Sequence, residues 1–154
     1  MTVRYLVLLS LLLGSFHAHS QHRVQIVAHR GASAYAPENT LAAFRKAIEL
    51  GADVLELDVH QSIDNQLVVI HDGTVDRTTS GKGTVKDCTV AALKQLDAGS
   101  WFSPQFSGER IPTLEEVFGS TPDSINLLIE LKAGSDEYPG IEGRLVDMIH
   151  RWKA

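Results

Sequence analysis

The chain has 154 residues, of which 14 are Lys or Arg, 19 are Asp or Glu, seven are His and one is Cys. Its formal net charge of −5 argues against a nucleic-acid-binding protein, because neutralising a phosphate backbone needs an excess of Lys and Arg. The single Cys88 excludes an internal disulfide framework and multi-cysteine metal sites, and the length allows one domain.

The first 20 residues are predicted to be a secretory signal peptide. Arg4 precedes an apolar run over residues 5–13, which is about half the length of a bilayer span. Ala18 and Ser20 supply the small residues that favour cleavage after Ser20. A buried N-terminal strand or helix is the alternative interpretation. We expect a mature domain over residues 21–154 that is exported to the periplasm or secreted and has no transmembrane segment.

Strands and helices are predicted to alternate along the rest of the chain. In chain order they are a strand over 24–28, a helix over 41–50, strands over 54–59 and 67–70, helices over 90–96 and 114–118, a strand over 125–131 and a helix over 142–152. Thr113 and Glu116 form a capping-box pattern at the start of the third helix. This alternation indicates an α/β fold with a mostly parallel sheet.

Ionisable side chains occur at the carboxyl ends of all four predicted strands. Residues two apart on a strand point to the same face. Glu56 and Asp58 therefore share one face of the second strand, and Glu130 and Lys132 share one face of the fourth. In an α/β barrel, active sites are built at this end of the strands. A solvent-exposed edge explains one such strand easily but explains four poorly. The residues are His29, Glu56, Asp58, His71, Glu130 and Lys132.

The three carboxylates in this set predict a metal site. A buried carboxylate is costly unless it is paired or bound to a metal ion. Glu56, Asp58 and Glu130 would also repel one another if they converged, and a bound cation would explain their convergence. Because ligation by oxygen alone favours Ca²⁺ or Mg²⁺ over Zn²⁺, we expect one divalent cation of the first kind.

The second and third strands are joined by a connection that is too short for a parallel crossover containing a helix. If Asp64 and Asn65 form the centre of a tight turn, the two strands pair so that Asp58 lies opposite His71. A plain return loop would also bring these two strand ends together. Either arrangement is expected to place the second histidine beside the acidic pair.

Several short motifs follow one another in order between residues 24 and 132. They are His29-Arg30-Gly31-Ala32-Ser33, Pro37-Glu38-Asn39-Thr40, Glu56-x-Asp58, His71-Asp72, Arg77-Thr78-Thr79, Gly83-Thr84-Val85, Ile111-Pro112-Thr113-Leu114-Glu115-Glu116 and Ile129-Glu130-Leu131-Lys132. Together, with their gaps, these motifs resemble the glycerophosphodiester phosphodiesterase family. The resemblance implies a TIM-like (β/α) barrel of the phospholipase C-like phosphodiesterase type, incomplete in this chain. It also implies metal-dependent hydrolysis of glycerophosphodiesters to glycerol 3-phosphate and an alcohol, a reaction of lipid metabolism.

The same resemblance assigns roles to individual residues. His29 and His71 match the two catalytic histidines of the family, one a general acid and the other a general base, without showing which is which. Arg30 and Lys132 match basic residues that hold the substrate phosphate. The residues that match the family's metal ligands are Glu56, Asp58 and Glu130. The chemistry suits these residue types, because charge rises on the phosphoryl oxygens in the transition state and histidine exchanges protons near neutral pH.

Other polar residues near the motifs are expected to have structural roles. Glu38 and Asn39 are expected to cap the first helix, although Asn39 also has a side chain suited to substrate contact. His60 shares a face with Asp58 and is expected to take no direct part in the chemistry. Cys88 is expected to be a small buried residue.

The length of the chain departs from the family pattern. A TIM-like barrel typically needs about 250 residues, whereas residues 21–154 supply roughly half of that and about four strands. An unclosed sheet leaves a bare edge and an apolar face in water. Three explanations stand: a truncated or misread gene product, two half-barrels that associate as a homodimer, or a reduced fold. Truncation is favoured, because the core of a barrel needs all its strands.

Two other functions are compatible with the same residues. A phospholipase D-like lipid phosphodiesterase, which resembles the family in its paired histidines and acidic metal ligands, would act on sphingomyelin or a lysolipid. A truncated, non-catalytic protein would bind metal or phosphate without turnover. The favoured partner is a small-molecule glycerophosphodiester.

Overall fold

The computed structural model describes residues 24–153, so the predicted signal peptide lies outside the described part of the chain. The strands are β1 (Val27–Ala28), β2 (Val54–Gln61), β3 (Leu67–Val69) and β4 (Asn126–Leu131). The α-helices are α1 (Leu41–Glu49), α2 (Val90–Leu93), α3 (Leu114–Ser120), α4 (Gly134–Glu137) and α5 (Ile141–Lys153). Within this range, none of the helices combines the length and the apolar character that a membrane span requires.

Strand β2 is the centre of a mixed four-stranded sheet. Strand β4 lies parallel to it along one edge, and β1 and β3 share the other edge, β1 parallel and β3 antiparallel. In the described part of the chain, β4 pairs with β2 alone, so its outer edge has no partner strand there. The prediction of an α/β fold with a mostly parallel sheet is confirmed.

The two faces of β2 differ in character. Leu55, Leu57 and Val59 are fully buried on one face and pack against helical residues such as Phe44 and Ile141. Complete burial of an aliphatic side chain stabilises a fold by about 1.5–3 kcal/mol, so this face anchors the sheet to the helices. The opposite face of the same strand carries the predicted acidic pair, Glu56 and Asp58, which therefore lies on the strand that pairs with all three other strands of the sheet.

Strand β4 continues this division of the sheet into two faces. Ile129 and Leu131 pack on the helical side, whereas Leu128 on the other face is 54% exposed. A groove of about 800 Å³ lies beside the strand, between α3 and the end of α5, and includes Phe118 and Trp152. The outer edge of β4 therefore has apolar surface on both sides.

The hairpin between β2 and β3 has a three-residue loop, residues 63–65, so of the two connections considered from the sequence, the tight two-residue turn is not the one that forms. Asn65 adopts the left-handed backbone conformation, with φ of 60°, which asparagine tolerates better than most residues. The additional loop residue shifts the register by one, so Asp58 pairs with Ile70 and not with His71. The N–H of Ile70 donates to the carbonyl oxygen of Asp58 at 3.0 Å. His71 follows directly and still reaches the end of β2.

The first helix is capped by a different residue from those predicted. Thr40 has an extended backbone and its side-chain oxygen accepts a hydrogen bond from the N–H of Ala43. This is the N-cap position, immediately before the first helical residue, so Glu38 lies two residues and Asn39 one residue too early to fill it. The capping box of Thr113 and Glu116 is present as predicted at the start of α3.

The helix predicted over residues 90–96 ends after one turn, at Leu93. Asp97 exchanges two hydrogen bonds with Ser80, one through its carbonyl oxygen and one through its N–H, which takes the chain out of the helix. Around this turn a second apolar cluster forms, which includes Val75 and Leu93. Cys88 packs against that cluster but is only partly buried, contrary to the prediction of a buried residue.

Candidate active site

Three carboxylates converge at the end of the parallel strands. The parallel register places Asp58 beside Glu130, and Glu56 lies two residues earlier on the same face of β2. One oxygen from each of the three side chains lies within 4.8 Å of the other two. Glu56 and Asp58 are buried, while Glu130 faces solvent. We call these three residues the acidic cluster, and they could hold a divalent cation.

The surroundings of Asp58 fit such an ion. Its Oδ2 accepts a hydrogen bond from Asn39 Nδ2 at 2.8 Å. Its Oδ1 is buried, and no donor in the described part of the chain is aligned with it, although Lys132 Nζ lies 2.9 Å away. A buried carboxylate oxygen without an aligned donor is unusual, and it leaves a lone pair for a cation. The three candidate ligand atoms of the acidic cluster are all carboxylate oxygens, which Ca²⁺ and Mg²⁺ prefer as ligands.

Lys132 lies between two members of the acidic cluster. Its Nζ is 2.9 Å from Asp58 Oδ1 and 2.7 Å from Glu130 Oε1. Burial alone would lower the pKa of Lys132, but the two carboxylates outweigh it and the pKa is raised. Burial likewise works to raise the pKa of Asp58, but the hydrogen bond from Asn39 and the positive charge of the nearby Lys132 lower it overall. The carboxylate and the ammonium group are therefore both charged at neutral pH.

The segment after β1 brings His29 and Arg30 to the same site. Arg30 has a left-handed backbone, with φ of 57°, and its N–H donates to Glu56 Oε2 at 2.7 Å. The Arg30 guanidinium contacts Glu38 Oε1 at 3.0 Å and lies 3.3 Å from Asp58 Oδ2. His29 Nε2 is 4.0 Å from Glu56 Oε2, and its side chain is 68% exposed. Solvent, and hence a substrate, can reach this imidazole.

Gly31 allows this segment to approach the first helix closely. Its φ is +78°, and a Cβ atom at this position would lie 2.7 Å from the backbone carbon of Ala43. The close contact with the Ala43 backbone leaves no room for a side chain, and the positive φ disfavours one. The close approach fixes His29 and Arg30 against the start of α1.

His71 is held at the site by the residue that follows it. Its Nδ1 lies 2.7 Å from Asp72 Oδ1. Because a carboxylate can only accept a hydrogen bond, Nδ1 carries the proton in this contact and the Nε2 of a neutral ring keeps its lone pair. The side chain is 31% exposed. The imidazole is therefore oriented, and its second nitrogen is left for chemistry.

His60 lies directly behind His71. Its Nε2 contacts the carbonyl oxygen of His71 at 3.0 Å, and its Nδ1 contacts the hydroxyl of Tyr138 at 2.8 Å. Burial lowers the pKa of His60, and burial raises the pKa of Tyr138 to about 12. Both groups are therefore neutral at pH 7. Since both nitrogens of His60 have protein partners, this histidine supports the backbone of His71.

All seven predicted site residues lie in this region, together with polar residues whose roles the sequence did not reveal. Asn39 contacts Asp58, Glu38 contacts Arg30, and Asp72 contacts His71. Each belongs to a motif that is visible in the sequence. Asp72 contacts its sequence neighbour, whereas the partners of Asn39 and Glu38 are fixed only by the tertiary fold.

The sequence profile of the glycerophosphoryl diester phosphodiesterase family matches residues 29–152. The chain is 60% identical over 117 residues to the putative glycerophosphodiester phosphodiesterase YhdW of Bacillus subtilis. The aligned region covers 76% of this chain and 48% of that relative. The chain is 56% identical over 128 residues to a glycerophosphodiester phosphodiesterase of Caldanaerobacter subterraneus, covering 82% of the chain and 53% of the relative.

Solved structures show the same similarity. A glycerophosphodiester phosphodiesterase of Agrobacterium tumefaciens superposes with a TM-score of 0.79 at 38% identity, over 85% of this chain and 54% of that one. A phosphodiesterase of Oleispira antarctica, in complex with the product sn-glycerol-3-phosphate, superposes with a TM-score of 0.73 at 39% identity. The match covers 80% of this chain and 52% of that one. The predicted TIM-like barrel, incomplete in this chain, is thereby confirmed. The chain spans about half the length of the relatives that it matches.

Proposed function

The chain belongs to the glycerophosphoryl diester phosphodiesterase family, and we propose that it hydrolyses glycerophosphodiesters to glycerol 3-phosphate and an alcohol. The observation that carries this proposal is that two accessible histidines lie near the acidic cluster: His29 is 4.0 Å from Glu56, and His71 interacts electrostatically with Asp58. The product complex of the Oleispira antarctica phosphodiesterase supports the choice of substrate class.

A divalent cation, Ca²⁺ or Mg²⁺, is proposed to be held by Glu56, Asp58 and Glu130. When bound, it would supply positive charge at the phosphoryl oxygens and lower the pKa of a bound hydroxyl group. The buried and unaligned Oδ1 of Asp58 is the atom of this structure that most directly supports such an ion.

Arg30 and Lys132 are proposed to bind the substrate phosphate. Arginine can donate two parallel hydrogen bonds to phosphate oxygens, and lysine contributes a point charge. Both side chains are four-fifths buried and already lie beside the acidic cluster. They are therefore held near the place where the phosphate charge rises.

His29 and His71 are proposed to move the protons of the reaction. One takes a proton from the attacking oxygen, and the other gives a proton to the leaving alkoxide, since histidine exchanges protons near neutral pH. The exposed ring of His29 and the free Nε2 of His71 suit this work.

The proposal is tested by incubating the purified chain with glycerophosphocholine and Ca²⁺ or Mg²⁺. We expect release of glycerol 3-phosphate, loss of this activity in EDTA, and its return when excess cation is added. Turnover of sphingomyelin or lysophosphatidylcholine in place of glycerophosphocholine would instead identify a phospholipase D-like enzyme. Cation binding by calorimetry without any product would identify a non-catalytic binding protein.

We also propose that the protein is exported, on the basis of the apolar segment and small residues before position 21. The expected mature N-terminus is Gln21, which mass spectrometry of the protein from the periplasm or medium would detect. Recovery of the chain from the cytoplasm with its first 20 residues intact would contradict this proposal.

A further inference from the structure

Arg77 contacts two carboxylates from different segments of the chain. Its Nε and Nη2 donate to the two oxygens of Asp72 at 2.8 and 2.9 Å. Its Nη1 and Nη2 donate to the two oxygens of Glu38, both at 2.9 Å. Asp72 follows β3, whereas Glu38 precedes α1, so one guanidinium group joins two loops at the end of the sheet.

Each of these carboxylates also holds a residue of the proposed active site. Asp72 Oδ1 lies 2.7 Å from His71 Nδ1, and Glu38 Oε1 accepts a hydrogen bond from Arg30 Nη1 at 3.0 Å. A continuous series of hydrogen bonds therefore connects the proposed acid–base residue His71, through Asp72, Arg77 and Glu38, to the proposed phosphate ligand Arg30.

The charges of Asp72, Arg77 and Glu38 stabilise one another. The hydrogen bonds from Arg77 hold the pKa of Asp72 far below its usual range, and those to Glu38 and Asp72 raise the pKa of Arg77. Burial works to raise the pKa of Glu38, but Arg77 and Arg30 lower it overall. All three groups are therefore ionised at neutral pH.

The geometry of the contacts matters more than their strength. A single exposed ion pair contributes little to stability. Four hydrogen bonds from one planar guanidinium, however, fix the orientation of both carboxylates. Lysine at this position would keep the charge but could not form both paired contacts.

We propose that Arg77 is a positioning residue, which fixes the His71 imidazole and the Arg30 guanidinium relative to each other by joining Asp72 to Glu38. This inference rests on the proposed function for the meaning of that arrangement. Its direct structural consequence is that Asp72 keeps the proton of a neutral His71 ring on Nδ1.

The test compares Arg77→Gln and Arg77→Lys with a matched control, Arg45→Gln. Arg45 also pairs with a glutamate, Glu109, at 3.3 Å, but this exposed pair includes none of the proposed site residues. Nitrogen-15 NMR of the histidine rings, in the full chain and about two pH units above the ordinary histidine pKa, reports which ring nitrogen of His71 carries the proton. Rates of glycerophosphocholine hydrolysis are measured in parallel.

We expect a protonated Nδ1 at His71 in the parent protein and in the Arg45→Gln variant. In Arg77→Gln the proton should be shared between the two nitrogens, and kcat should fall by about 10- to 100-fold. For Arg77→Lys, both the share of the His71 proton on Nδ1 and kcat should lie between the values of the parent protein and those of Arg77→Gln. A purely structural role would lower the unfolding temperature without altering the His71 ring.

An unaltered His71 ring in folded Arg77→Gln would overturn the proposal. If that variant does not fold, the ring signal of Arg77→Lys decides the question in the same way. The ring measurement needs no turnover, so an inactive parent protein in which the Arg77 variants still move the proton would refute the proposed function and leave the positioning role intact.

Discussion

Replacement of His71 by alanine is expected to lower kcat for glycerophosphodiester hydrolysis by about 10²- to 10⁴-fold, the usual contribution of a positioned general acid or base. Its imidazole is oriented through Nδ1 by Asp72, and Nε2 is free to exchange a proton with the substrate. Initial rates of glycerol 3-phosphate release measure the effect. Calorimetric titration should show unchanged cation binding, because His71 is not a member of the acidic cluster.

The control for this experiment is His150→Ala. His150 is an exposed residue of α5 and is not part of the proposed site, so its removal should leave the rate at the parental value. A His71→Ala variant that keeps its rate within about twofold of the parent would exclude a mechanism with paired histidines.

The second large effect is expected for Asp58→Asn, which should weaken binding of Ca²⁺ or Mg²⁺ by roughly 100-fold or more. Ligand charge sets the affinity of oxygen sites for these ions, and even residues behind the ligands typically contribute about 10- to 100-fold. Asparagine keeps the shape of the side chain and can still accept a hydrogen bond from Asn39. Loss of affinity would therefore report the missing charge, which calorimetric titration measures directly.

Asp147→Asn provides the matched control, because Asp147 is an exposed aspartate of α5. Its cation affinity should equal that of the parent. Equal affinity in folded Asp58→Asn would show that the acidic cluster is not the cation site. Lys132 would then be the group that balances the charges of Asp58 and Glu130.

The sequence was sufficient to predict the elements that position the acidic cluster. Alternation along the second and fourth strands placed Glu56, Asp58 and Glu130 on predictable faces, because side-chain direction in a strand repeats every two residues. The parallel pairing of β2 with β4 then places Asp58 beside Glu130. Local patterns also located α1 and the capping box of α3.

The sequence was not sufficient where a contact depends on tertiary geometry. Arg77 and Glu38 are 39 positions apart, and no local pattern shows that their side chains meet. The pairing of Asp58 with His71, expected for a two-residue turn, does not form for a different reason. One residue in the left-handed conformation, Asn65, lengthens the loop, and a single residue changes every pairing in a β hairpin.

The outer edge of β4, which has no partner strand among residues 24–153, has a practical consequence for work with this polypeptide. Exposed N–H and C=O groups flanked by apolar surface can pair with any other chain that offers an extended segment. Such pairing is a bimolecular process, so it grows with protein concentration and with salts that strengthen apolar association. Dilute samples at modest ionic strength are therefore the appropriate starting point for assays and for storage.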